Sequence, residues 1–594
     1  MNINENQIFL YFNFVNYEGV HTPLQFSRPV QIVTAQTTDE IISCLETIQQ
    51  AINNGFYAAG YISYEAAPAF DKSLSVKPGN MMPLLWFGIF NKPIYQQLKY
   101  VDKNSAHPYA KSWKSLVPIK KYNQHFTRIQ QAIENKRTKQ VNYTIPFESP
   151  FSGDPLLLYK QLEAAQSANY SAYLNIGGFS IISASPELFF HLKDNEITTK
   201  PMKGTIDRGL TYKDDIKQAQ KLKNSRKEQN ENNQIVDLMC NELEKIAVAH
   251  TVKVPKLHTI EKYPTLYQMT STITAKLQDH IELLDIFKTL FPCGSITGIP
   301  KEETMNIITE IETLPREVYC GAIGYITPQN EAIFNVPIRT VWVDKKSQVA
   351  QYGVGGAITS DSKKENEYEE ILIKTGLLTK AQTEFKLIES FGLINGQYIC
   401  FAEHMKRLKE SAEYFNFNLH LDKIHNELIA LLQEYKQGNW KVRLLVDNNG
   451  QHNIEIDQIR PQANNLKVRL AYDPIDQKNL FLYHKTTNRT IYEENKIKDE
   501  SIFDTLLWNE NDEVTEFTMG NIVVEMNHQL YTPPIKCGLL AGTFREYVLK
   551  KGEITERIIK KEELKHCDQI WFINSVRRWI PVQLQSSENN NAVQ

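Results

Sequence analysis

The chain has 594 residues, of which 42% are hydrophobic and 23% charged, as is usual for a soluble globular protein. The net charge of −3 does not suggest a nucleic acid or a membrane surface as a partner. The seven cysteines form no CxxC pair, which argues against a disulfide framework and a zinc cluster. The polar N-terminus and the lack of a long apolar run predict a cytoplasmic protein without a signal peptide or transmembrane helix.

Short apolar runs separated by turn signals fill the first hundred residues. Residues 8–14 and 60–65 are predicted strands, and residues 39–54 have helical spacing. The polar stretch 102–112 predicts a loop. This region is expected to form an N-terminal subregion of about residues 1–110.

Helices and strands are mixed from about residue 120 onward. Helices are predicted over 122–135 and 365–377, and strands over 181–191 and 336–343. A shift in composition at 379–384 then predicts a linker.

The pattern restarts after this linker with a strand at 385–389 and a helix at 402–415. The remaining stretch of about 210 residues is long enough for an independent domain. We therefore expect one domain over residues 1–378, a second over 385–584, and a disordered tail at 585–594.

Lys203 is the first residue that points to a particular chemistry. It precedes Gly204 and Thr205, and a Gly-Thr pair can place a backbone N–H and a hydroxyl on an anion. A lysine beside such a pair is a candidate nucleophile. Glu187 follows Ser185-Pro186 upstream of this lysine.

Acidic side chains further along the chain suggest a metal. Glu367 and Glu370 are spaced i, i+3 on a predicted helix, so they share one face. With Glu231 they would suit a hard cation such as Mg²⁺, which favours oxygen ligands. Taken alone, such a pair is more often a solvated helix face.

Cations and glycines near these carboxylates suggest an anionic substrate. Arg339 and Lys374 are candidates to bind substrate carboxylates, Arg339 in bidentate fashion. Gly355 and Gly356 would let backbone N–H groups approach an anion. A lone Gly-Gly pair is usually a turn, so the weight comes from the whole ordered set.

That ordered set resembles the chorismate-binding family, which includes anthranilate synthase component I, aminodeoxychorismate synthase component I, isochorismate synthase and salicylate synthase. The resemblance covers roughly residues 8–378. The motifs that carry it, in chain order, are Gln140-Val141-Asn142-Tyr143-Thr144, Ile182 to Glu187, Lys203-Gly204-Thr205, Glu231 to Leu238, Pro292 to Lys301, Arg316 to Gly324, Ile338-Arg339-Thr340, Gly353 to Ile358, and Glu367 to Lys374.

The resemblance implies the fold and the substrate, chorismate. The expected fold class is α+β / α/β, with a sandwich of antiparallel sheets and the active site between them. Lysine before Gly-Thr is similar to aminodeoxychorismate synthase, whereas anthranilate synthase usually has alanine there. Lys203 would then add to the chorismate ring as the 4-hydroxyl leaves, with Glu187 as general acid, before ammonia displaces the lysine.

The resemblance also implies the binding residues. Glu231, Glu367 and Glu370 would hold Mg²⁺. The ring carboxylate would be bound by Thr205, Gly355 and Gly356, and the enolpyruvyl carboxylate by Tyr319 and Arg339.

Some positions depart from the family pattern. Gln268 stands where many members have histidine, and glutamine cannot carry a proton near neutral pH. Asp207 and Cys240 replace a common proline and a common arginine. No Leu-Leu-Glu-Ser element of a tryptophan-binding site is found near the N-terminus, which weakens the anthranilate synthase interpretation.

A second set of motifs lies in the C-terminal domain. It contains Lys485 in His484-Lys485-Thr486-Thr487-Asn488-Arg489, Glu516, and Gly542-Thr543 opening a helix. A pyridoxal phosphate enzyme needs a lysine, a carboxylate on the pyridine nitrogen and a phosphate site. Residues 385–584 resemble the class IV aminotransferase family, which implies a two-subdomain α/β fold.

This second resemblance assigns roles to these residues. Lys485 would be the Schiff-base lysine and Glu516 the partner of the pyridine nitrogen. The phosphate would be held by Arg407, Gly542, Thr543 and Ser575. A homodimer through this domain is an option that the sequence leaves open.

The two resemblances together imply 4-aminobenzoate synthesis for folate, by amination of chorismate and then elimination of pyruvate. No glutaminase nucleophile such as Gly-x-Cys-x-Gly occurs, so ammonia is expected from a separate glutamine amidotransferase subunit. One alternative is anthranilate synthase component I fused to a class IV aminotransferase. Others are a catalytically inactive C-terminal docking module and isochorismate-type chemistry with water as the nucleophile.

Overall fold

The computed structural model describes residues 7–98, 112–376, 378, 385–460 and 466–585. The predicted loop at 102–112 (except Ser112), the linker 379–384 and the tail beyond residue 585 lie outside these residues. Contacts divide the chain into two units. The first unit comprises Met1–Asp207 and Gln218–Gln382, and the second comprises Arg208–Lys217 and Thr383–Gln594. Within the described ranges, no helix is both long and apolar enough to cross a membrane.

The strands of the first unit are short and numerous. They are β1 (Phe9–Val15), β2 (His21–Ser27), β3 (Gln31–Ala35), β4 (Tyr57–Ile62), β5 (Leu85–Phe90), β6 (Lys114–Ser115), β7 (Gln140–Pro150), β8 (Tyr170–Asn175), β9 (Phe179–Ser185), β10 (Leu188–Lys193), β11 (Glu196–Lys200), β12 (Met202–Asp207), β13 (Lys253–Lys262), β14 (Leu266–Lys276), β15 (Gly298–Ile299), β16 (Ala322–Ile326), β17 (Ala332–Asn335), β18 (Thr340–Asp344) and β19 (Val349–Ile358).

The helices up to residue 376 alternate with these strands. They are α1 (Thr38–Asn53), α2 (Ala67–Phe70), α3 (Ile119–Glu134), α4 (Pro155–Gln166), α5 (Tyr212–Lys223), α6 (Arg226–Leu243), α7 (Leu283–Leu290), α8 (Lys301–Ile311) and α9 (Lys364–Gly376). Helix α5 begins in the segment that belongs to the second unit.

Two antiparallel sheets form the first unit. One has nine strands in the order β15-β7-β19-β18-β9-β8-β1-β2, with β6 on β7. The other has ten strands in the order β12-β14-β11-β10-β17-β16-β4-β5-β3, with β13 on β14. Aromatic side chains from both sheets pack together, for example Phe12 of β1 and Tyr325 of β16 with ring centroids 5.4 Å apart. This arrangement confirms the predicted antiparallel sandwich.

Several predicted elements need correction at their ends. The predicted helices 39–54, 122–135 and 365–377 are confirmed as α1, α3 and α9. The predicted strand 181–191 is two strands, β9 and β10, separated by Pro186 and Glu187, because proline cannot donate a ladder hydrogen bond.

Two other predicted strands are shorter than expected. The predicted strand 336–343 starts only at Thr340, since Arg339 has φ +51° and interrupts the extended backbone. The predicted strand 60–65 ends at Ile62, and Tyr64–Ala66 form a short 3₁₀ turn. These breaks place Glu187 and Arg339 at strand ends.

The second unit contains a mixed set of strands and helices. The strands are β20 (Leu387–Ile394), β21 (Gln397–Tyr398), β22 (Asn439–Val446), β23 (His452–Gln458), β24 (Leu466–Leu470), β25 (Ile502–Trp508), β26 (Val514–Phe517), β27 (Asn521–Met526), β28 (Gln529–Thr532), β29 (Thr555–Glu556), β30 (Gln569–Asn574) and β31 (Arg578–Leu584). The helices are α10 (Phe401–Phe415), α11 (Leu421–Glu434), α12 (Thr490–Asn495) and α13 (Thr543–Lys550).

Two sheets with separate apolar cores build the second unit. A four-stranded sheet, β21-β20-β22-β23, packs on α10 and α11 through a cluster that includes Leu408 and Leu428. An eight-stranded sheet, β26-β25-β24-β31-β30-β27-β28-β29, has its own cluster around Val468 and Phe572. Parallel pairing of β24 with β25 and β31 makes this sheet mixed. The predicted two-subdomain α/β fold is confirmed.

The segment Arg208–Lys217 is a structural part of the second unit although its sequence lies within the first half of the chain. Arg208 donates to both carboxylate oxygens of Asp215 at 2.5 and 2.7 Å and to the Tyr414 carbonyl at 2.9 Å. Its guanidinium lies 4.1 Å from the Tyr414 ring centroid, and the Tyr414 hydroxyl donates to the Gly209 carbonyl at 2.8 Å.

Replacement of Arg208 by alanine is expected to destabilise the second unit. The Arg208 and Asp215 side chains are only 5% and 3% exposed, so the variant removes the cation from a buried carboxylate. A loss of about 3–5 kcal/mol in the free energy of unfolding is expected. Urea unfolding of the full chain, followed by limited proteolysis of the second unit, measures it. Lys213→Ala, at an exposed position of the same segment, is the control, and equal stability of the two variants would contradict the expectation.

Candidate active sites

Lys203 lies on a bulged strand in the first unit. The register between β12 and β14 shifts between Met202 and Thr205. Gly204 within this bulge has φ +88°, and a Cβ atom there would lie 3.0 Å from both Cβ and Oε2 of Glu228. Only glycine fits both conditions, so the Gly after Lys203 has a structural reason.

The environment of Lys203 favours a neutral amine. The residue is only 8% exposed, and burial lowers its pKa. Glu187, Glu231 and Glu370 act in the opposite direction, while the Lys374 charge adds to the lowering. An amine with a lowered pKa is more often unprotonated and therefore nucleophilic. Lys203 thus lies among the carboxylates that the sequence analysis grouped with it.

Glu187 is buried with its carboxylate on a hydroxyl. It is 2% exposed, and the Ser295 hydroxyl donates to its Oε1 at 2.5 Å. Burial raises the pKa of Glu187 to about 7, although Ser295 and Lys203 favour the charged form. A carboxyl group that titrates near neutral pH is suited to donate a proton.

Carboxylates from two helices approach this lysine. Glu231 lies on α6, and Glu367 and Glu370 lie on α9. A Cβ atom on Gly356 would lie 3.5 Å from Glu367 Oε2 and 4.0 Å from Glu370 Oε1. Glu228, which the sequence analysis missed, joins them through its contact with Gly204. Its i, i+3 spacing from Glu231 could have identified Glu228 from the sequence.

Of these carboxylates, Glu231, Glu367 and Glu370 are the oxygen donors that the sequence analysis proposed for magnesium. Burial, and then the neighbouring carboxylate Glu231, raises the pKa of Glu228, and burial with Glu370 raises that of Glu367. Across residues 7–98, 112–376 and the other described ranges, no three His, Cys, Asp or Glu side chains converge closely enough to hold an ion. A magnesium ion at this place would therefore need waters and substrate oxygens in addition to these carboxylates.

Lys374 orders the carboxylate cluster. Its Nζ lies 2.7 Å from Glu370 Oε1 and donates to the Gly355 carbonyl at 2.9 Å. The Lys374 charge lowers the pKa of Glu370, against burial. A Cβ atom on Gly355 would lie 2.4 Å from the Tyr143 carbonyl oxygen, so this position also requires glycine. Lys374 therefore ties α9 to β19.

Tyr319 and Arg339 are held by a separate set of contacts. The Tyr319 ring covers Gly353, where a Cβ atom would come within 2.5 Å of it. Arg339 donates to Gln166 Oε1 at 2.8 Å, and burial lowers its pKa. The phenol of Tyr352 influences the pKa of both residues, so both lie near it.

Gln268 fixes the strand that carries Lys203. Its amide nitrogen donates to the Gly204 carbonyl at 2.9 Å, and its Oε1 accepts from the Thr205 hydroxyl at 3.1 Å. Both functions of a neutral amide are used, and neither involves a mobile proton. The glutamine therefore has a positioning role in this chain.

Lys485 and Glu516 form the centre of the site in the second unit. Burial, helped by Arg407 and Arg489, lowers the pKa of Lys485 to about 8. Burial raises the pKa of Glu516 to about 7. Glu516 accepts hydrogen bonds from the Tyr492 hydroxyl at 2.8 Å, the Leu540 N–H at 3.0 Å and the Asn521 amide at 3.2 Å, all within the second unit.

A buried ionic cluster supports the candidate phosphate residues. Arg407 donates to Glu389 from Nε at 3.0 Å and from Nη2 at 2.7 Å. His404 lies 2.5 Å from Glu389 through Nδ1, while its Nε2 is 2.9 Å from Ser575 Oγ and 3.1 Å from Thr543 Oγ. Although burial opposes it, Arg407 and His404 lower the pKa of Glu389 to about 2. Glu389 thus orients Arg407 directly. Through His404 it also orients the hydroxyls of Ser575 and Thr543.

Gly542 begins α13 at this cluster. A Cβ atom on Gly542 would lie 1.9 Å from Asn521 Oδ1, so a larger residue would displace a partner of Glu516. The arginine, the two hydroxyls and the helix N-terminus match a phosphate, and Lys485 and Glu516 match the rest of pyridoxal phosphate.

Four residues around this site were not assigned a role from the sequence: Glu389, His404, Tyr492 and Arg489. The positions of His404 three residues before Arg407, and of Arg489 four after Lys485, were usable signals.

Comparison with known proteins assigns a family to each part of the chain. Residues 12–380 match the model for chorismate binding enzyme. Residues 386–584 match the model for amino-transferase class IV. The first match covers more than half of the chain.

Curated relatives match the first part. Aminodeoxychorismate synthase component 1 of Escherichia coli is 38% identical over 268 residues, which are 45% of this chain and 59% of that protein. Anthranilate synthase component 1 of Saccharolobus solfataricus is 37% identical over 220 residues, 37% of this chain and 52% of the relative. The chain spans less than two thirds of the length of either relative.

A solved structure shows the same fold. The crystal structure of anthranilate synthase component I from Streptococcus pneumoniae TIGR4 aligns with a TM-score of 0.51 and 22% identity. The alignment covers 63% of this chain and 91% of that one.

Proposed function

Because this chain belongs to the chorismate binding enzyme family and also carries a class IV aminotransferase domain, we propose that it converts chorismate to 4-aminobenzoate in two steps. The observation that carries the proposal is Lys203, a buried lysine with a lowered pKa beside Glu187, Glu231 and Glu370. An amine in such a place serves covalent chemistry better than binding alone.

In the first step Lys203 adds to the chorismate ring as the 4-hydroxyl leaves. The neutral amine forms a carbon–nitrogen bond with the ring while Glu187 gives its proton to the hydroxyl, which leaves as water. Ammonia then forms its own bond to the carbon that lost the hydroxyl, and the bond to Lys203 breaks. Glu228, Glu231, Glu367 and Glu370 would hold Mg²⁺, which neutralises the ring carboxylate.

In the second step the C-terminal site removes pyruvate. Pyridoxal phosphate, when bound, supplies an electron sink. Lys485 anchors it and then moves protons, and Glu516 keeps a proton on the pyridine nitrogen. Arg407, Thr543 and Ser575 hold the phosphate. The aromatic product is 4-aminobenzoate.

The test uses the full chain with chorismate, Mg²⁺, ammonium and pyridoxal phosphate, followed by chromatography of the aromatic products. The para isomer is expected with pyruvate in equal amount. Ammonium replaces the ammonia that a separate glutamine amidotransferase subunit would supply. Formation of no aromatic amine under these conditions would contradict the proposal.

A second candidate has some support from the relatives, since one of them is an anthranilate synthase component 1. That activity would give the ortho isomer in the same assay. Lys203 stands where anthranilate synthases usually have alanine, and this favours the para product. The C-terminal domain would then be an aminotransferase, and it would transfer an amino group to a 2-oxo acid instead of releasing pyruvate.

The pH dependence of the first step is expected to reveal Glu187. The acid must be protonated, so activity is present below the pKa of about 7 and is lost as the pH rises through it. Ser295→Ala removes a hydrogen bond that favours the charged carboxylate. The alkaline limb of kcat/KM for chorismate should therefore move up by about 1 pH unit.

This profile is measured at a constant concentration of free NH₃, because ammonium itself titrates. Ser295→Thr keeps a hydroxyl and should retain the original limb. An unchanged limb in Ser295→Ala would show that Glu187 is not the group being titrated.

A further inference from the structure

Arg489 is a cation at the C-terminal site to which the proposed chemistry assigns no role. It directly precedes α12, and its Nη2 donates to the Thr518 carbonyl. Its guanidinium carbon lies 4.4 Å from the centroid of the Tyr492 ring. The hydroxyl of the same tyrosine donates to Glu516 at 2.8 Å. Tyr492, which is 6% exposed, therefore holds Arg489 close to Glu516.

The two arginines near Lys485 differ in their partners. Arg407 forms an ion pair with Glu389 at 2.7 Å. Arg489 forms no ion pair with an acidic side chain in the parts of the chain that the structure describes. Its hydrogen bond to a carbonyl and its stacking on a ring leave it without a carboxylate at salt-bridge distance. A buried or half-buried cation of this kind is suited to an anionic oxygen of a ligand.

The covalent structure of pyridoxal phosphate says which oxygen this is. Lys485 would bond to the aldehyde carbon of the cofactor, and the ring carbon that carries this aldehyde lies between two substituted positions. One carries the phosphate arm, which belongs at Arg407, Thr543 and Ser575. The other carries the phenolic 3-oxygen, which is the second anionic oxygen site of the cofactor. Arg489 acts electrostatically on both Lys485 and Glu516, so it lies near the place of the ring. Because Arg407, Thr543 and Ser575 take the phosphate arm, the anionic oxygen that remains for Arg489 is the phenolic one.

We propose that Arg489 binds the phenolic 3-oxygen of the cofactor through its guanidinium and so tunes the bond between the cofactor and Lys485. The inference rests on the proposed function and goes beyond it, since it adds a residue that acts on the ring itself. In this role Arg489 is held in place by Tyr492 and the Thr518 carbonyl.

The physical consequence is a change in acidity at the Lys485 nitrogen. The phenolate oxygen shares a proton with that nitrogen, and a cation beside the oxygen makes the shared proton easier to lose. The visible absorption band of the bound cofactor should therefore titrate at a lower pH than it would without Arg489. No oxidant or additional reactant is involved, because only one proton moves.

The test compares Arg489→Gln and Arg489→Lys with the wild-type full chain, each loaded with pyridoxal phosphate and free of substrate. The visible band is recorded as a function of pH. Arg489→Gln removes the charge and should raise the titration midpoint by about 1–2 pH units. Arg489→Lys keeps the charge and should restore most of the midpoint. Arg443→Gln, at the partly exposed Arg443–Glu455 pair of the four-stranded sheet, is the matched control.

Three results would overturn the inference. One is an unchanged midpoint in Arg489→Gln while the wild type shows the band. Another is an unchanged midpoint together with a raised KM for 4-amino-4-deoxychorismate, which would assign Arg489 to a substrate carboxylate. The third is a wild-type protein that shows no band with added pyridoxal phosphate, and this result alone also removes the proposed cofactor. If Arg489→Gln does not fold, the Lys variant decides: a midpoint equal to that of the wild type supports the inference, and a midpoint raised by 1–2 units or a lost band overturns it.

Discussion

Replacement of Lys203 by alanine is expected to lower the rate of para-product formation by about 10⁴-fold or more, because the first covalent bond can no longer form. Lys203→Arg should be as inactive as Lys203→Ala. The guanidinium keeps a positive charge but remains protonated and cannot act as a nucleophile. The pair of variants therefore separates covalent catalysis from simple charge stabilisation.

The measurement is chromatography of 4-aminobenzoate formed from chorismate and ammonium. Lys223→Ala, which removes an exposed lysine on α5, should have wild-type activity. Substantial activity in Lys203→Arg would mean that the lysine contributes only its charge. An ortho product from the wild type would instead favour the anthranilate synthase interpretation.

Replacement of Lys485 by alanine is expected to abolish the second step without affecting the first. Pyruvate release should fall by about 10⁴-fold or more, since both the covalent anchor and the proton carrier are lost. The intermediate, 4-amino-4-deoxychorismate, should accumulate in stoichiometric amount. The visible band of the cofactor should disappear in the same variant.

Lys478→Ala, at an exposed position of the same unit, is the control and should keep both the band and pyruvate release. A wild-type chain that stays colourless with excess pyridoxal phosphate would support a catalytically inactive docking module. Continued pyruvate release by Lys485→Ala would mean that another group carries the elimination.

The two sites use the same electrostatic principle. In each, burial lowers the pKa of a lysine and raises that of a carboxyl group, as for Lys203 with Glu187 and Lys485 with Glu516. The pKa values of the two groups in each pair are thereby brought closer to neutral pH. The surrounding sheet strands provide the low-dielectric environment.

Individual elements show where sequence reasoning succeeded and where it failed. Helix α9 was predictable because its acidic first turn and apolar spacing are local properties, and this placed Glu367 and Glu370 on one face. Strands β9 and β10 were predicted as one strand, because apolar residues lie on both sides of Pro186-Glu187. Pro186 interrupts the strand, and the two parts pair in different sheets, β9 with β18 and β10 with β11.

Glu228 and Glu389 show a second kind of omission. Glu228 looks like an ordinary solvated residue of α6, and only the left-handed Gly204 opposite it reveals a contact. Glu389 reads as one polar position of strand β20. Its importance comes from Arg407 and His404, which lie 18 and 15 residues later and converge on it only in the folded chain.

The sequence by itself determined the family of each part, and it predicted two domains and most of the residues proposed for the chemistry. These features depend on local spacing and on motifs that stay in chain order. Only the tertiary structure decided which carboxylates surround Lys203, which acid titrates near neutral pH, and that Arg208–Lys217 belongs to the second unit. Burial and cross-strand proximity arise from contacts between residues far apart in the chain, and local patterns do not encode the desolvation that shifts a pKa.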